Sequence, residues 1–291
     1  MYKKNINIAD LVFSLNTPLP AGAFQWEESY SGFFCSGDPG ISVRGHYSGV
    51  PGHDLDSDNR VFESGLFWDI HNIGGRFAIA LKRPGSGNPV HCLALFDAGF
   101  DYGDVYHSDP YPGRTAEGLL PQPLAFPLFH LLMISRLAQG LGLLVHASGV
   151  DDNGRGYLFP GRSTYGKTTM ARLWKGQGVI LNDERVVLRK RGRRFWIYGT
   201  PWHGECDSVA ARGVPLEKIF FLHHDEQNRA RSLKGVAAAS ALLPRCFLPM
   251  WDEAGMRFTA QFSAEVALGV PCYDLGFVPD SKVLDFVRCV Q

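Results

Sequence analysis

The spacing of apolar and polar positions predicts a β-rich beginning of the chain. Residues 76–96, RFAIALKRPGSGNPVHCLALF, contain two apolar or alternating runs separated by Gly, Ser, Asn and Pro. Such a pattern predicts a strand, a turn and a second strand. Gly, Ser, Asp and aromatic residues are frequent throughout 1–110. We therefore expect a small β-rich N-terminal domain at 1–120, with the Gly/Pro/Asp-rich segment 107–123 as the linker.

A buried helix is predicted directly after this segment. Residues 124–142, LAFPLFHLLMISRLAQGLG, have no clean polar face, which indicates a helix that is mostly buried. Pro127 favours the start of this helix, and Gly140 or Gly142 favours its end.

The following pattern predicts one further helix and then several consecutive strands. The segments are strands at 143–150 and 157–160, a helix at 167–177 and short strands within 179–201. Around Arg191-Gly192 the pattern is typical of a β-hairpin. Because a doubly wound nucleotide domain would alternate strands and helices, we expect a mixed or antiparallel sheet in a second domain at 121–291. Within it, residues 223–247 read as a loop followed by a helix.

Composition and charge narrow the function classes. The 29 basic residues balance the 29 acidic ones, so no overall field favours nucleic acid or an anionic membrane. No uncharged apolar stretch approaches the roughly 20 residues that span a bilayer. Six scattered cysteines without metal-ligand spacing predict free thiols and a cytoplasmic location. One local exception to the charge balance, 188–196, is either a solvated hairpin tip or an anion-binding site.

One stretch carries recognisable chemistry. Residues 161–169, GRSTYGKTT, fit the Gly-x4-Gly-Lys-Thr pattern of a phosphate-binding loop and lie between an apolar strand and a helix. Glycines let backbone N–H groups approach phosphate, the lysine supplies positive charge, and the threonine hydroxyl suits Mg²⁺. The candidate nucleotide-binding residues are Gly161, Arg162, Ser163, Thr164, Tyr165, Gly166, Lys167, Thr168 and Thr169. The alternative is a Gly-rich strand–helix turn with a surface lysine.

Four polar residues outside the loop are further candidates. Asp183 and Glu184 follow an apolar strand, and adjacent strand residues point to opposite faces, so one of them can face the nucleotide. Glu205 ends GTPWHGE and is a candidate Mg²⁺ ligand. His146 lies on the strand ahead of the loop. The alternatives are a polar turn at the acidic pair, a Pro/Gly turn with a packed Trp202, and a core histidine.

These motifs together resemble a known family. Residues 143–188, with a histidine, a Gly-rich turn, the loop, a helix and Asp-Glu-Arg-Val in this order, resemble HPr serine kinase/phosphorylase. The likeness is closer still to HPr-kinase-related proteins of bacterial gene clusters, and it covers about 120–278. It implies an α/β (α+β) phosphate-loop (P-loop) kinase domain with a mixed sheet, of the phosphoenolpyruvate carboxykinase/HPr kinase type, after the β-rich domain.

The resemblance also implies roles for individual residues. The implied catalytic residues are Asp183, His146, Lys167 and Glu184, and the implied metal ligands are Thr168, Asp183 and Glu205. Asp183 matches the proposed general base for the substrate hydroxyl. Glu184 replaces the second Asp of the family's pair, an acid thought to contact the histidine that His146 matches. Thr164 and Tyr165 replace small residues of the loop, which puts the phosphate geometry in question.

The expected function follows from the loop and the resemblance. We expect an ATP- or GTP-dependent and Mg²⁺-dependent kinase that transfers the γ-phosphate to a Ser or Thr hydroxyl of a protein or precursor peptide. Alternatives are a small-molecule kinase of the same fold and a nucleotide-binding regulatory protein without catalysis. The expected partners are the nucleotide and the acceptor, with no nucleic acid and no membrane. Family members assemble into oligomers, so a homo-oligomer stays open, and the segment that docks HPr itself is not recognisable.

Overall fold

The chain folds into mixed α/β structure with large mixed sheets and few helices. The computed structural model describes residues 2–52, 55–65, 67–83, 89–108, 118–161 and 165–290. The chain divides into two compact units: Met1–Arg136 with Met250–Glu253, and Leu137–Pro249 with Ala254–Gln291.

Strands dominate the first unit. They are β1 (Tyr2–Ile8), β2 (Leu11–Thr17), β3 (Phe24–Gln25), β4 (Phe34–Cys35), β5 (Ile41–His46), β6 (Arg60–Glu63), β7 (Trp68–Ile73), β8 (Arg76–Lys82), β9 (Val90–Phe96), β10 (Tyr102–His107) and β11 (Leu120–Pro121). Short 3₁₀ turns occupy Ala21–Ala23 and Glu28–Phe33, and helix α1 is Leu128–Ala138. The chain passes from the first unit to the second near the end of α1.

Nine of these strands form one sheet, in the order β4-β1-β2-β5-β10-β9-β8-β7-β6, and β11 pairs with β3. Within the nine-stranded sheet, neighbouring strands are antiparallel except where β5 pairs in parallel with β2 and β10. β8 and β9 pair antiparallel, with Phe77 opposite Phe96, as predicted for 76–96. The predicted turn between them, at 84–88, lies outside the described residues, as does most of the predicted linker.

Among its described residues, the second unit combines eight strands with four helices. The strands are β12 (Leu143–Asp152), β13 (Arg155–Pro160), β14 (Val179–Asn182), β15 (Arg185–Arg191), β16 (Arg194–Tyr198), β17 (Gly213–His224), β18 (Arg229–Leu233) and β19 (Cys272–Phe277). The helices are α2 (Lys167–Trp174), α3 (Val236–Leu242), α4 (Glu253–Gly269) and α5 (Lys282–Cys289), with a 3₁₀ turn at Leu243–Arg245.

The sheet of the second unit is mixed, as the sequence predicts. Its strand order is β13-β12-β15-β16-β17-β19-β18, with β14 added beside β12. β17 runs parallel to β13 and β19, and the other pairs are antiparallel. Since β13 pairs with both β12 and β17, five strands form a closed circuit of pairing. β15 and β16 form the predicted hairpin around Arg191-Gly192.

Alternate strand residues bury two separate cores, because successive side chains point to opposite faces of a sheet. Leu158 belongs to one core, which includes residues of α3 and α4. Tyr157 and Phe159 belong to the other, together with Met170 and Trp174 of α2 and residues of α5. α2 is therefore fixed against the sheet by its apolar face, and its first residue is held at the end of β13.

Three other sequence expectations have clear outcomes. The helix predicted at 124–142 is shorter, at Leu128–Ala138, and Gly140 takes a positive φ just beyond its end. The loop predicted at the start of 223–247 contains the strand β18, which was missed, whereas the helix after it is present as α3. The six cysteines are free, as predicted.

Candidate functional site

The candidate phosphate loop connects β13 to α2. β13 ends at Pro160, Gly161 follows, and α2 begins at Lys167. Gly166 caps the helix in the left-handed conformation, with φ +92°, a region that favours glycine. A Cβ at this position would lie 2.6 Å from the Phe277 ring. The predicted residues Arg162, Ser163 and Thr164 lie outside the described residues.

Lys167 is a buried cation at the start of this helix. Lys167 is only 6% exposed, and its Nζ donates a hydrogen bond to the Gly161 carbonyl at 3.1 Å. Burial lowers the pKa of Lys167, and the carboxylates of Glu184 and Asp183 act in the opposite direction. The first turn of a helix has N–H groups without helical partners, and it favours anions. This charge therefore lies where a phosphate group would be stabilised.

Asp183 is fully buried and accepts hydrogen bonds from a distant loop. The backbone N–H of Gly204 donates to Oδ1 at 2.7 Å, and that of Cys206 donates to Oδ2 at 2.9 Å. The Thr168 hydroxyl donates to Oδ2 at 3.4 Å. A Cβ on Gly204 would lie 3.0 Å from Oδ2, so glycine permits this approach of the backbone. The carboxylate thus connects the start of α2 to the loop after β16.

Asn182 organises the same region and was missed in the sequence. Its side-chain oxygen accepts from the backbone N–H groups of Glu184 and Arg185, both at 2.7 Å. Its side-chain nitrogen donates to the carbonyls of Thr200 and Trp202, at 2.9 and 3.2 Å. An Asn at a strand end that bonds N–H groups two and three residues later is a turn signal. That signal was available in ILNDERV, but its bonds to the second loop were not.

Glu184 faces His146 rather than Asp183. The Nε2 atom of His146 lies 3.2 Å from Oε1 of Glu184, and both side chains are about a quarter exposed. The hydrogen bond from His146 lowers the pKa of Glu184, while burial opposes this effect.

Of the other predicted residues, only some lie close to Asp183. Thr168 contacts Asp183, whereas Tyr165, just before α2, and Thr169, in the first turn of α2, are partly buried. Glu205 is 80% exposed at its side chain, and Oε2 lies 3.5 Å from the Arg172 guanidinium. Glu205 is nevertheless flanked in sequence by the two residues whose N–H groups bind Asp183.

The basic segment 188–196 forms the tip of the β15–β16 hairpin. Lys190 pairs with Glu265, and the Arg191 guanidinium lies 5.1 Å from the centre of the Trp196 ring. Arg193 and Arg194 are exposed. Both interpretations of this segment, a solvated tip and an anion-binding site, stay open.

Two features are absent from the described ranges: a membrane-spanning helix and a group of three side chains that could hold a metal ion. No helix there combines the length and apolar character needed to cross a membrane. In the same part of the chain, no three His, Cys, Asp or Glu residues are grouped so that they could hold a metal ion. A metal at this site would need hydroxyl or ligand oxygens in addition.

Comparisons with known proteins add little to this geometry. No protein-family model matches the chain. No curated protein matches it either. Among solved structures, the HPr(Ser) kinase/phosphatase from Coxiella burnetii is similar, with 12% identity and a TM-score of 0.32 over 50% of this chain and 93% of that chain.

Proposed function

We propose that the chain is an ATP- or GTP-dependent, Mg²⁺-dependent kinase that phosphorylates a Ser or Thr hydroxyl of a protein or peptide. One observation carries the proposal: a buried lysine begins the helix after a Gly-rich loop, and the next residue, Thr168, bonds the buried carboxylate of Asp183. We assign the site to the second unit, as a P-loop kinase domain of the HPr kinase type. The domain division at 120/121 and the cytoplasmic location remain part of this proposal.

The residues at the start of α2 suit a nucleoside triphosphate. Lys167 supplies positive charge at a helix N-terminus, and Gly166 opens the backbone where a side chain would meet Phe277. Such an arrangement stabilises the charge that spreads over the transferred phosphoryl group. Lys167 therefore has the role of binding and orienting the phosphates.

The residues also suit Mg²⁺, with a limited set of protein ligands. Mg²⁺ is commonly held by one or two carboxylates, a hydroxyl and phosphate oxygens rather than by an all-protein cage. Thr168 and Asp183 are the two residues that would hold it, and when bound it neutralises charge on the phosphates. Glu205 would join them only by leaving Arg172, its partner at 3.5 Å.

Asp183 is the proposed general base for the acceptor hydroxyl. Its oxygens each accept one backbone N–H, and Oδ2 also accepts from the Thr168 hydroxyl, so Oδ1 keeps a second acceptor site. The two N–H donors would hold the carboxylate in orientation while it accepts the proton. Direct metal contact competes with this role. Glu184, bonded to His146, orients the neighbouring turn.

A second candidate function is nucleotide binding without catalysis. The observation that favours it is the burial of Asp183, which is 0% exposed and bonded to two backbone amides. A carboxylate that only anchors a loop needs no access to an acceptor. In that case the loop and Lys167 would bind nucleotide for regulation.

Transfer of labelled phosphate separates these functions. The protein is incubated with γ-labelled ATP and Mg²⁺, with peptides encoded beside its gene and with a small-molecule hydroxyl panel. We expect label on a Ser or Thr of a peptide, lost in Asp183→Asn and retained in Asp207→Asn, an exposed acid of the loop whose N–H groups bind Asp183. Label on a small molecule would replace the peptide acceptor. Nucleotide binding without transfer to any acceptor would favour the regulatory function.

A further inference from the structure

Arg185 lies beside the candidate site on the face of the sheet that carries His146. The two residues are directly opposite each other on the antiparallel strands β15 and β12, so their side chains share one face. Phe247 packs over both of them. The centre of its ring lies 5.8 Å from the Arg185 guanidinium carbon and 6.1 Å from the centre of the His146 ring.

The positive charge of the Arg185 guanidinium has no close carboxylate partner among the described residues. Within the described ranges, its side chain makes no hydrogen bond and no ion pair, and its ring contact is with Phe247. The nearby acids are already engaged, because Glu184 contacts His146 and Asp183 accepts backbone N–H groups.

An arginine in this state is suited to a ligand anion. The side chain of Arg185 is partly buried, and its guanidinium lies against the Phe247 ring. Burying a charge without a hydrogen-bonded partner costs free energy. A planar guanidinium that lies on an aromatic ring presents its N–H groups in a fork that fits phosphate or carboxylate. A bound anion would offset the free-energy cost of burying this charge.

We propose that Arg185, positioned on Phe247, binds a phosphate group next to Asp183. The choice of phosphate rests on the proposed phosphoryl transfer. The group is either the γ-phosphate of the nucleotide or the phosphate carried by the phosphorylated acceptor. Arg185 is thus a binding residue for the transferred group, separate from Lys167 at the loop.

Calorimetric titration of phosphate tests this site. Inorganic phosphate and phosphoserine are titrated into the protein, each with and without saturating Mg-ADP. The variants are Arg185→Met and Arg185→Lys. Arg44→Met is the matched control, because the Arg44 guanidinium also lies 5.8 Å from an aromatic ring, that of Tyr102.

The expected result is a loss of phosphate affinity of about tenfold to a hundredfold in Arg185→Met, since charge-assisted hydrogen bonds are removed. Arg185→Lys should fall between Arg185→Met and the wild type, because it keeps the charge but loses the fork. Arg44→Met should bind phosphate like the wild type. The thermal stability of Arg185→Met should stay close to that of the wild type, because the contact with the Phe247 ring is lost but no hydrogen bond or close ion pair within the described residues is lost.

The separate titrations identify the source of the phosphate, and they distinguish failure of this proposal from failure of the proposed function. Inorganic phosphate binding that requires Mg-ADP would assign Arg185 to the γ-phosphate position, and tighter binding of phosphoserine would assign it to the acceptor. Normal phosphate affinity in Arg185→Met, or a wild type that binds neither probe, would overturn the proposal. Failure of the wild type to bind Mg-ADP would instead count against the proposed function.

Discussion

Replacement of Asp183 by Asn tests whether its carboxylate holds two parts of the site together. The two shapes are nearly the same, but Asn has one acceptor oxygen and one NH₂ donor. Both oxygens of Asp183 accept backbone N–H groups, from Gly204 at 2.7 Å and from Cys206 at 2.9 Å. Whichever way the amide is oriented, one backbone N–H must therefore face another donor.

The expected loss in the free energy of unfolding follows from this contact between two donors. A hydrogen bond to a charged group contributes about 1.5–3 kcal/mol, and a buried donor left unsatisfied costs about 1–3 kcal/mol. The two costs overlap, because both describe the same N–H. We expect Asp183→Asn to lower the free energy of unfolding by about 2–4 kcal/mol, a large part of the 5–15 kcal/mol of an ordinary domain.

Denaturant unfolding followed by tryptophan fluorescence measures this loss. Trp202 is buried in the loop that contains Gly204, so it reports on the region. Asp207→Asn is the control, since Asp207 is exposed in the same loop. A difference of less than about 0.5 kcal/mol between the two variants would refute the reasoning, because that is the range of ordinary surface substitutions. Activity of Asp183→Asn must be assayed where the variant is still folded.

Two other positions give independent tests. Gly166→Ala should lower the free energy of unfolding more than the backbone cost of about 1–2 kcal/mol for a left-handed residue, because the Phe277 ring must move; Gly176→Ala, with φ +79° and no atom within 4 Å, isolates the backbone cost, and equal losses in denaturant unfolding would contradict the claim. His146→Ala should cost up to about 1 kcal/mol at pH 6. The lowered pKa of Glu184 makes its stabilisation complete above the ordinary glutamate value of about 4.3 and lost as the pH falls through the lower folded-state value. The difference between wild type and His146→Ala should therefore shrink below about pH 4, and a constant difference in unfolding free energy down to pH 2 would oppose this assignment.

Local patterns predicted the parts of the fold that depend on neighbours in sequence. The hairpin at Arg191-Gly192 and the helix after Gly166 follow from turn chemistry and apolar spacing, and the structure has both. β18 was missed because it is an edge strand whose residues, such as Arg229 and Arg231, present no apolar alternation. A strand of this kind is defined by its partner β19, which lies far along the chain.

The same division applies to the candidate site. Gly161 and Lys167 meet because one loop connects them, and a sequence motif can contain that information. The donors to Asp183 come from residues 21 and 23 positions later, and their approach depends on how the sheet folds. Residue types alone indicated a base or a metal ligand at Asp183, but not that its oxygens already bind backbone amides.

Binding of Mg-ATP is the most direct test of the central claim, that the loop before α2 is a nucleotide site. Calorimetry would compare the wild type with Lys167→Met, which keeps the volume of the buried side chain but removes its charge. Lys175→Met is the control, as Lys175 is exposed at the other end of the same helix. The account predicts that Mg-ATP binds the wild type and Lys175→Met equally, and at least about tenfold more weakly to Lys167→Met. Equal affinity of all three proteins, or no binding by the wild type, would contradict it.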